Sequence, residues 1–366
     1  MIPTMLIEEI IRIHAELRKK GLMRRKTRIT SRPVNFWIET EPFRENGEIV
    51  NLPALTIIFG TVGCRWARSK TGGCIMCGYL YQNPLKGGDL LAQLNFALKK
   101  VRNKRKEIKV VKIFTSGSFI DEEEVPQEIQ IEILERLCKS LDELKIIEIE
   151  TRPEFINEDI LTKFEEFAKK YKIKLCFNIG LESANDDILR LINKGFSSRV
   201  FFDALKKLQK HGFLAKTYLL FKPPFMTEYE AIQDVITSAK KAFNAGTYFV
   251  SINPMVIFSW TFIEYLWRNK LYRPPTLESV IFVTNEVLKL NEAKKGIVIC
   301  SPVAPGSARG PHALKRNTDR KLLNILNKIV KSQAPIDVPP ENKELWEEFI
   351  RIEETTHDLG LSEFRY

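Results

Sequence analysis

The chain has 366 residues, with 57 Lys and Arg against 46 Asp and Glu and a formal charge of +11 at pH 7. Apolar residues make up 44% and charged residues 28%, which excludes a disordered or collagen-like chain and leaves ample material for a buried core. The basic excess suits a polyanionic partner such as RNA, DNA or a phosphate-bearing membrane surface, and charge alone does not choose among them.

In chain order, residues 5–20 set Met5, Ile10, Ile13, His14 and Leu17 at helical spacing. A basic tract at 19–32 follows, with Lys19, Lys20, Arg24, Arg25, Lys26, Arg28 and Arg32 and no acid. Short β-rich runs then recur at 55–60, 109–115, 145–151, 174–181, 214–221, 247–253 and 296–300. Helical patterns lie between them at 89–104, 127–143, 156–171, 183–212, 227–245 and 260–292, and Gly195 breaks 183–212 in two. A Gly- and Pro-containing stretch at 302–311 precedes two closing helices at 317–332 and 341–357.

Repeated strand–helix alternation calls for parallel strands, so the expected fold is α/β, a partial or full (β/α) barrel. An open doubly wound sheet is the rival, but no GxGxxG follows a strand. The expected division is an N-terminal basic extension at 1–50, a barrel core at 51–260, and a C-terminal extension at 261–366. That last part would complete the barrel and contribute to substrate or partner binding. Nothing at the N-terminus reads as a signal peptide, and no run of about eighteen uncharged apolar residues occurs. A soluble, cytoplasmic protein with no membrane partner is expected.

Three of the six cysteines fall together in Gly63-Cys64-Arg65-Trp66-Ala67-Arg68-Ser69-Lys70-Thr71-Gly72-Gly73-Cys74-Ile75-Met76-Cys77-Gly78-Tyr79, a C-x9-C-x2-C pattern. The loop follows the first barrel strand, and in such barrels the C-terminal strand ends carry the site. The scattered Cys138, Cys176 and Cys300 argue against a secreted disulfide framework, and Cys138 and Cys176 read as core. Two metal readings compete for the cluster. A structural zinc needs a fourth Cys or His ligand, and His14, His211, His312 and His357 are all distant in sequence. A [4Fe–4S] cluster also takes cysteine thiolates, and three of them leave one iron open.

These residues resemble the radical S-adenosylmethionine (SAM) superfamily, and the wide first spacing is similar to its Elongator-type branch. One departure is Met76, where an aromatic often precedes the last cysteine. The resemblance implies that Cys64, Cys74 and Cys77 bind a [4Fe–4S] cluster whose open iron holds the amino and carboxylate groups of SAM. One electron then splits SAM into methionine and a 5′-deoxyadenosyl radical. Further matches fall at strand ends across about 50–260. Thr115-Ser116-Gly117-Ser118-Phe119 stands where the family has its SAM-amine motif, so Ser116, Gly117 and Ser118 are expected near SAM. Glu150-Thr151-Arg152-Pro153-Glu154 is close to the E-T-R-P-D of the Elongator-type enzymes. Arg152 would fork onto a carboxylate and Glu150 would accept from an amine or ribose. Asn178-Ile179-Gly180-Leu181-Glu182-Ser183 resembles the family's E-L-G-x-Q/E-S, which adds Asn178 and Glu182 to the SAM-binding set. Asn253 follows strand six, where the resemblance implies groups near the adenine, so it joins the expected SAM-binding set, and Lys222 stands where the family has a turn lining the pocket.

Three basic tracts, 19–32, 99–109 and 309–321, suggest a phosphate-tracking surface. With the flanks Asn35–Thr40 (N-F-W-I-E-T), Cys77–Tyr79 and Ala308–His312, the arrangement resembles the radical SAM subunits of archaeosine synthases, a tRNA-modifying family. The resemblance implies a transglycosylase-like partner subunit that attaches lysine to a nitrile-bearing 7-deazaguanine in the tRNA D-loop. It also implies an electron donor, and radical cleavage of the lysine carbon–nitrogen bond to leave archaeosine. A second departure lies near Cys300 and His312, where the further cysteines of a second metal site are absent. The alternatives are another radical SAM reaction, such as tRNA thiolation or a small-molecule rearrangement, and a noncatalytic zinc-stabilised RNA-binding module.

Overall fold

The computed structural model describes residues 4–25, 30–84 and 86–356. Helix α1 (Thr4–Leu22) leads into a hairpin of β1 (Asn35–Glu45) and β2 (Glu48–Ile58). The hairpin turns on Asn46 and Gly47, both at positive φ (52° and 87°), the backbone that an Asn-Gly type I′ turn requires. Strand–helix units follow as α2 (Leu90–Lys100), β3 (Val110–Phe114), α3 (Gln127–Ser140), β4 (Ile146–Thr151), α4 (Glu158–Tyr171) and β5 (Lys174–Glu182). Next come α5 (Asp186–Leu191), α6 (Ser198–Lys210), β6 (Leu214–Phe221), α7 (Glu228–Asn244), β7 (Phe249–Pro254), α8 (Phe262–Arg268), α9 (Leu277–Lys289) and β8 (Ile297–Cys300). Helices α10 (Asp319–Ser332) and α11 (Pro340–Thr356) close the described chain.

The eight strands pair in sequence order, antiparallel only between β1 and β2 and parallel from β2 to β8. The result is a nearly closed α/β barrel: β1 and β8 are not paired, and from the residue before β7 the Tyr248 hydroxyl reaches across to accept from the Arg44 N–H at 3.0 Å. Two details depart from the sequence expectation. Strand β1 lies within the segment assigned to the N-terminal extension, and the single helix expected over 260–292 is split. Pro274 and Pro275 lack the N–H that a helix interior needs, so α8 and α9 are separate.

Strand alternation sorts the core into two compartments. Outward residues such as Ile57, Val111, Ile149, Phe177 and Val250 are buried against the helices. Each such side chain contributes about 1.5–3 kcal/mol of burial. Inward residues Phe43, Leu52, Val110, Ile146, Cys176 and Phe249 form a second apolar cluster. The barrel interior also holds charge. Lys216 Nζ donates to Glu41 and Glu148 at 2.6 Å each, and Lys112 Nζ to Glu41 at 2.9 Å and to Glu39. Burial alone would raise the Glu41 carboxyl, but the two lysines draw it down to about 2. Charges buried this deeply persist because each has a partner.

Candidate active site at the strand C-terminal ends

The cysteine loop leaves the end of β2 and depends on glycines where its backbone turns. Gly72 and Gly73 are both left-handed (φ 77° and 74°), and a Cβ on Gly73 would stand 2.6 Å from Ala67 Cα. Two other segments grip this loop. From the turn after α5, Asn193 Nδ2 donates to Gly73 O at 2.8 Å, Asn193 O accepts from Trp66 Nε1 at 2.7 Å, and Ile192 O accepts from the Ile75 N–H. Gly195 leaves room for the Trp66 ring, whose Cε2 would lie 2.7 Å from an added Cβ. From α1, buried Arg18 donates Nε to Gly72 O at 2.8 Å and Nη2 to Cys77 O at 2.7 Å and Cys74 O at 3.3 Å. His14 sits beside it, 3.1 Å from Gly72 O, and burial pushes its imidazole down to about 3. Arg25 is also buried and donates to Val62 O, Asn83 O and Pro84 O, the two flanks of the loop.

Cys74 is buried, while Cys64 and Cys77 keep part of their surface open. Desolvation raises the Cys64 thiol to about 12 and also raises Cys77; Cys74 adds to both shifts, so it lies within electrostatic reach of the other two. Arg152 opposes the rise at Cys64, and Arg18 and Lys194 oppose it at Cys77. Thiols in such surroundings yield protons when a metal centre arrives. Among the described residues no three His, Cys, Asp or Glu side chains gather closely enough to share one metal ion. A structural zinc takes four closed ligands, and the loop offers three thiols. Three thiolates are the set that leaves one iron of a four-iron cube open, and the donor chemistry fits that group.

The strand-end residues surround this loop. Gly117 packs on Cys64: an added Cβ would stand 2.6 Å from Cys64 Cα and 2.1 Å from Glu124 Oε2. Ser116 takes positive φ (64°) and, with Thr115, offers its N–H to Glu150, which accepts from Thr115 N at 3.1 Å. Burial nevertheless lifts the Glu150 carboxyl to about 7. Ser118 donates its N–H to Glu124 at 2.8 Å and pairs its hydroxyl with Thr151 at 2.6 Å. Arg152 is buried between the Trp66 and Phe196 rings, bonded to Glu154 and to Lys194 O, and Cys74 and Cys64 both stabilise its charge. Glu182, at φ 68°, accepts from Lys194 Nζ at 2.7 Å. Asn253 is partly exposed at the end of β7 and accepts from Ser251.

Asn178 stands apart from these. It is fully buried inside the barrel, where its amide donates to Glu148 at 3.0 Å. Lys222 is likewise turned to the Arg273 carbonyl, at 3.0 Å, beside the buried Glu228. Sequence reasoning missed Arg18, Arg25, Glu124, Asn193 and Lys194. Glu124 is buried, accepts from Thr61 at 2.7 Å, and is raised by burial to about 8. The sequence signal for Asn193 and Lys194 is the Gly195 helix break: Asn193 (φ 51°) and Gly195 (φ 86°), either side of Lys194, mark a turn but not its destination.

The basic tracts do not form one footprint. In 19–32, Arg25 is a buried brace, Arg24 stacks on Trp260 at 4.5 Å, and Lys26 and Arg28 lie outside the described residues. Tract 99–109 connects the end of α2 to the start of β3, which puts it at the N-terminal strand ends, opposite the cysteine loop. Tract 309–321 follows β8 and so belongs to the same end as the cysteines, but Arg309 is engaged by Glu264 at 2.7 Å. His312 Nδ1 lies 2.9 Å from Gly310 O, while Cys300 is buried and bonded to Thr284. No helix among the described residues is long and apolar enough to cross a membrane.

The radical SAM superfamily profile matches residues 58–258. An uncharacterized protein of Methanocaldococcus jannaschii is 35% identical over 347 residues, 92% of each chain. The archaeosine synthase subunit beta of Methanosarcina acetivorans is 37% identical over 338 residues, covering 90% of this chain and 92% of that one. The protein of the same name from Thermococcus kodakarensis is 34% identical over 302 residues, 80% of this chain and 90% of the other.

Proposed function

The chain belongs to the radical SAM superfamily, and from that premise we propose that it is the radical subunit that completes archaeosine in tRNA. As a radical SAM enzyme it uses a [4Fe–4S] cluster and SAM. The observation that carries the narrower reading is the 37% and 34% identity to proteins named archaeosine synthase subunit beta over most of the chain. When bound, the cluster and SAM together supply a carbon-centred radical able to remove a hydrogen atom from the substrate.

In this reading the thiolates of Cys64, Cys74 and Cys77 hold the cluster, and the glycine at 117 lets the SAM-binding backbone of Ser116 and Ser118 close on the Cys64 turn. Arg152, already buried beside the cysteines, offers its guanidinium to a carboxylate. Glu150 and Glu182 accept hydrogen bonds from the amine or the ribose, and Asn253 lines the adenine side. Asn178 acts from below by ordering Glu148. Residues 51–260 carry this chemistry, while 261–366 contribute to contacts with tRNA or with the transglycosylase-like partner subunit.

The substrate is a 7-deazaguanine in the tRNA D-loop that carries lysine, and the bond broken is the lysine carbon–nitrogen bond, leaving the amidine of archaeosine. The test is anaerobic incubation of the reconstituted protein with SAM, a reductant and lysine-modified tRNA, followed by nucleoside analysis. Archaeosine and 5′-deoxyadenosine are expected together. Active SAM cleavage with an unchanged nucleoside profile would overturn the substrate assignment and leave the family standing.

A further inference from the structure

We propose that Arg18, on the N-terminal helix, is a positioning residue for the [4Fe–4S] cluster: it fixes the backbone of the cysteine loop and raises the reduction potential of the cluster held there. The proposal rests on the reading of Cys64, Cys74 and Cys77 as cluster ligands. Arg18 lies 54 to 59 residues before its partners and belongs to none of the strand-end motifs. It is 2% exposed, an extreme burial for an arginine. Its hydrogen bonds go to the carbonyls of Gly72, Cys74 and Cys77 and to the neutral His14, and its guanidinium lies 5.0 Å from the Tyr81 ring centre. Nη1 is buried with no hydrogen-bond partner.

A buried cation whose partners are all neutral is costly unless an anionic group comes to it. Two of the three peptide carbonyls it holds are those of Cys74 and Cys77, so the charge lies against the backbone that carries those thiols. Reduction of the cluster adds one negative charge without making or breaking a bond. A fixed cation at this distance stabilises the reduced form more than the oxidised form and moves the potential upward. By pinning three carbonyls at once, the fork of Arg18 also sets the direction in which Cys74 and Cys77 leave the backbone, which a lysine ammonium does with a single point of contact.

Wild type, Arg18→Gln and Arg18→Lys are reconstituted anaerobically, checked for fold by circular dichroism and for iron content, and titrated with reductant under electron paramagnetic resonance. Arg18→Gln is expected to lower the reduced-to-oxidised ratio at a fixed poise by about tenfold, a negative shift of roughly 59 mV for one electron. Arg18→Lys is expected to keep the wild-type potential while retaining iron less well. Equal midpoints in Arg18→Gln and wild type would overturn the proposal. If Arg18→Gln unfolds or takes no iron, Arg18→Lys decides: weaker iron retention at the wild-type midpoint supports the proposal, and iron retention equal to wild type or a lowered midpoint refutes it. A wild-type protein that takes up no iron refutes the ligand assignment instead.

Discussion

Replacing Gly117 with Ala tests the contact on which the site geometry turns. The new Cβ would lie 2.6 Å from Cys64 Cα, 2.8 Å from Cys64 N and 2.1 Å from Glu124 Oε2. Carbon atoms pack at about 3.5–4.0 Å, so the Cys64 turn must retreat by roughly 1 Å. Glu124 yields little, because Thr61 and the Ser118 N–H hold its two oxygens. Overpacking of this kind costs about 1–3 kcal/mol of stability. A displacement of about 1 Å at a reacting centre lowers rate by on the order of 10²-fold. The assay is iron content and 5′-deoxyadenosine formation after anaerobic reconstitution, beside a thermal melt. Gly212→Ala is the control: its φ of 71° brings backbone strain, but an added Cβ meets nothing within 4 Å. The control is expected to lose about 1–2 kcal/mol of stability and no iron. If Gly117→Ala retains iron and SAM cleavage at the wild-type level, the packing of the serine–glycine turn on Cys64 has no part in building the site.

Cys64→Ala, Cys74→Ala and Cys77→Ala should each abolish SAM cleavage, whereas Cys138→Ala on α3 should not; activity equal to wild type in Cys74→Ala excludes the cluster assignment. Because the Glu150 carboxyl is raised to about 7, it is protonated below that pH and ionised above it. SAM, whose ammonium prefers the ionised form, should bind roughly tenfold more weakly for each pH unit below 7 and lose this dependence in Glu150→Gln, as read by calorimetry in buffers of different ionisation heat. Arg25→Gln should cost stability, since hydrogen bonds to a charged group are worth about 1.5–3 kcal/mol, and should release iron along with any loss of tRNA affinity. Neutralising Lys99, Lys100, Arg102 and Lys104 should leave tRNA retention on filters within twofold of wild type at matched salt, because they lie at the far end of the barrel; a larger loss would place tRNA there.

The strand–helix rhythm and the cysteine spacing were legible because both are local. Periods of two and of 3.6 residues are written in short windows, and β3 to β8 fall where the β-rich runs stand. The hairpin of β1 leaves a local mark as well, the Asn46-Gly47 pair, but the sequence expectation places it inside the basic extension at 1–50. What a charged residue does is not local. The same run of lysines and arginines supplies Arg24, exposed on a tryptophan, and Arg25, buried under the cysteine loop, and no composition separates them. Asn178 and Glu150 occupy neighbouring registered positions, yet one is spent inside the barrel on Glu148 and the other stands among the Thr115 and Ser116 amides. Sequence by itself determined the fold class and the gathering of three thiols in one loop, since strand periods and cysteine spacing are written locally. Only the tertiary structure decided which cations hold carbonyls and which face solvent, because burial and distance exist only after segments some fifty residues apart have packed against each other.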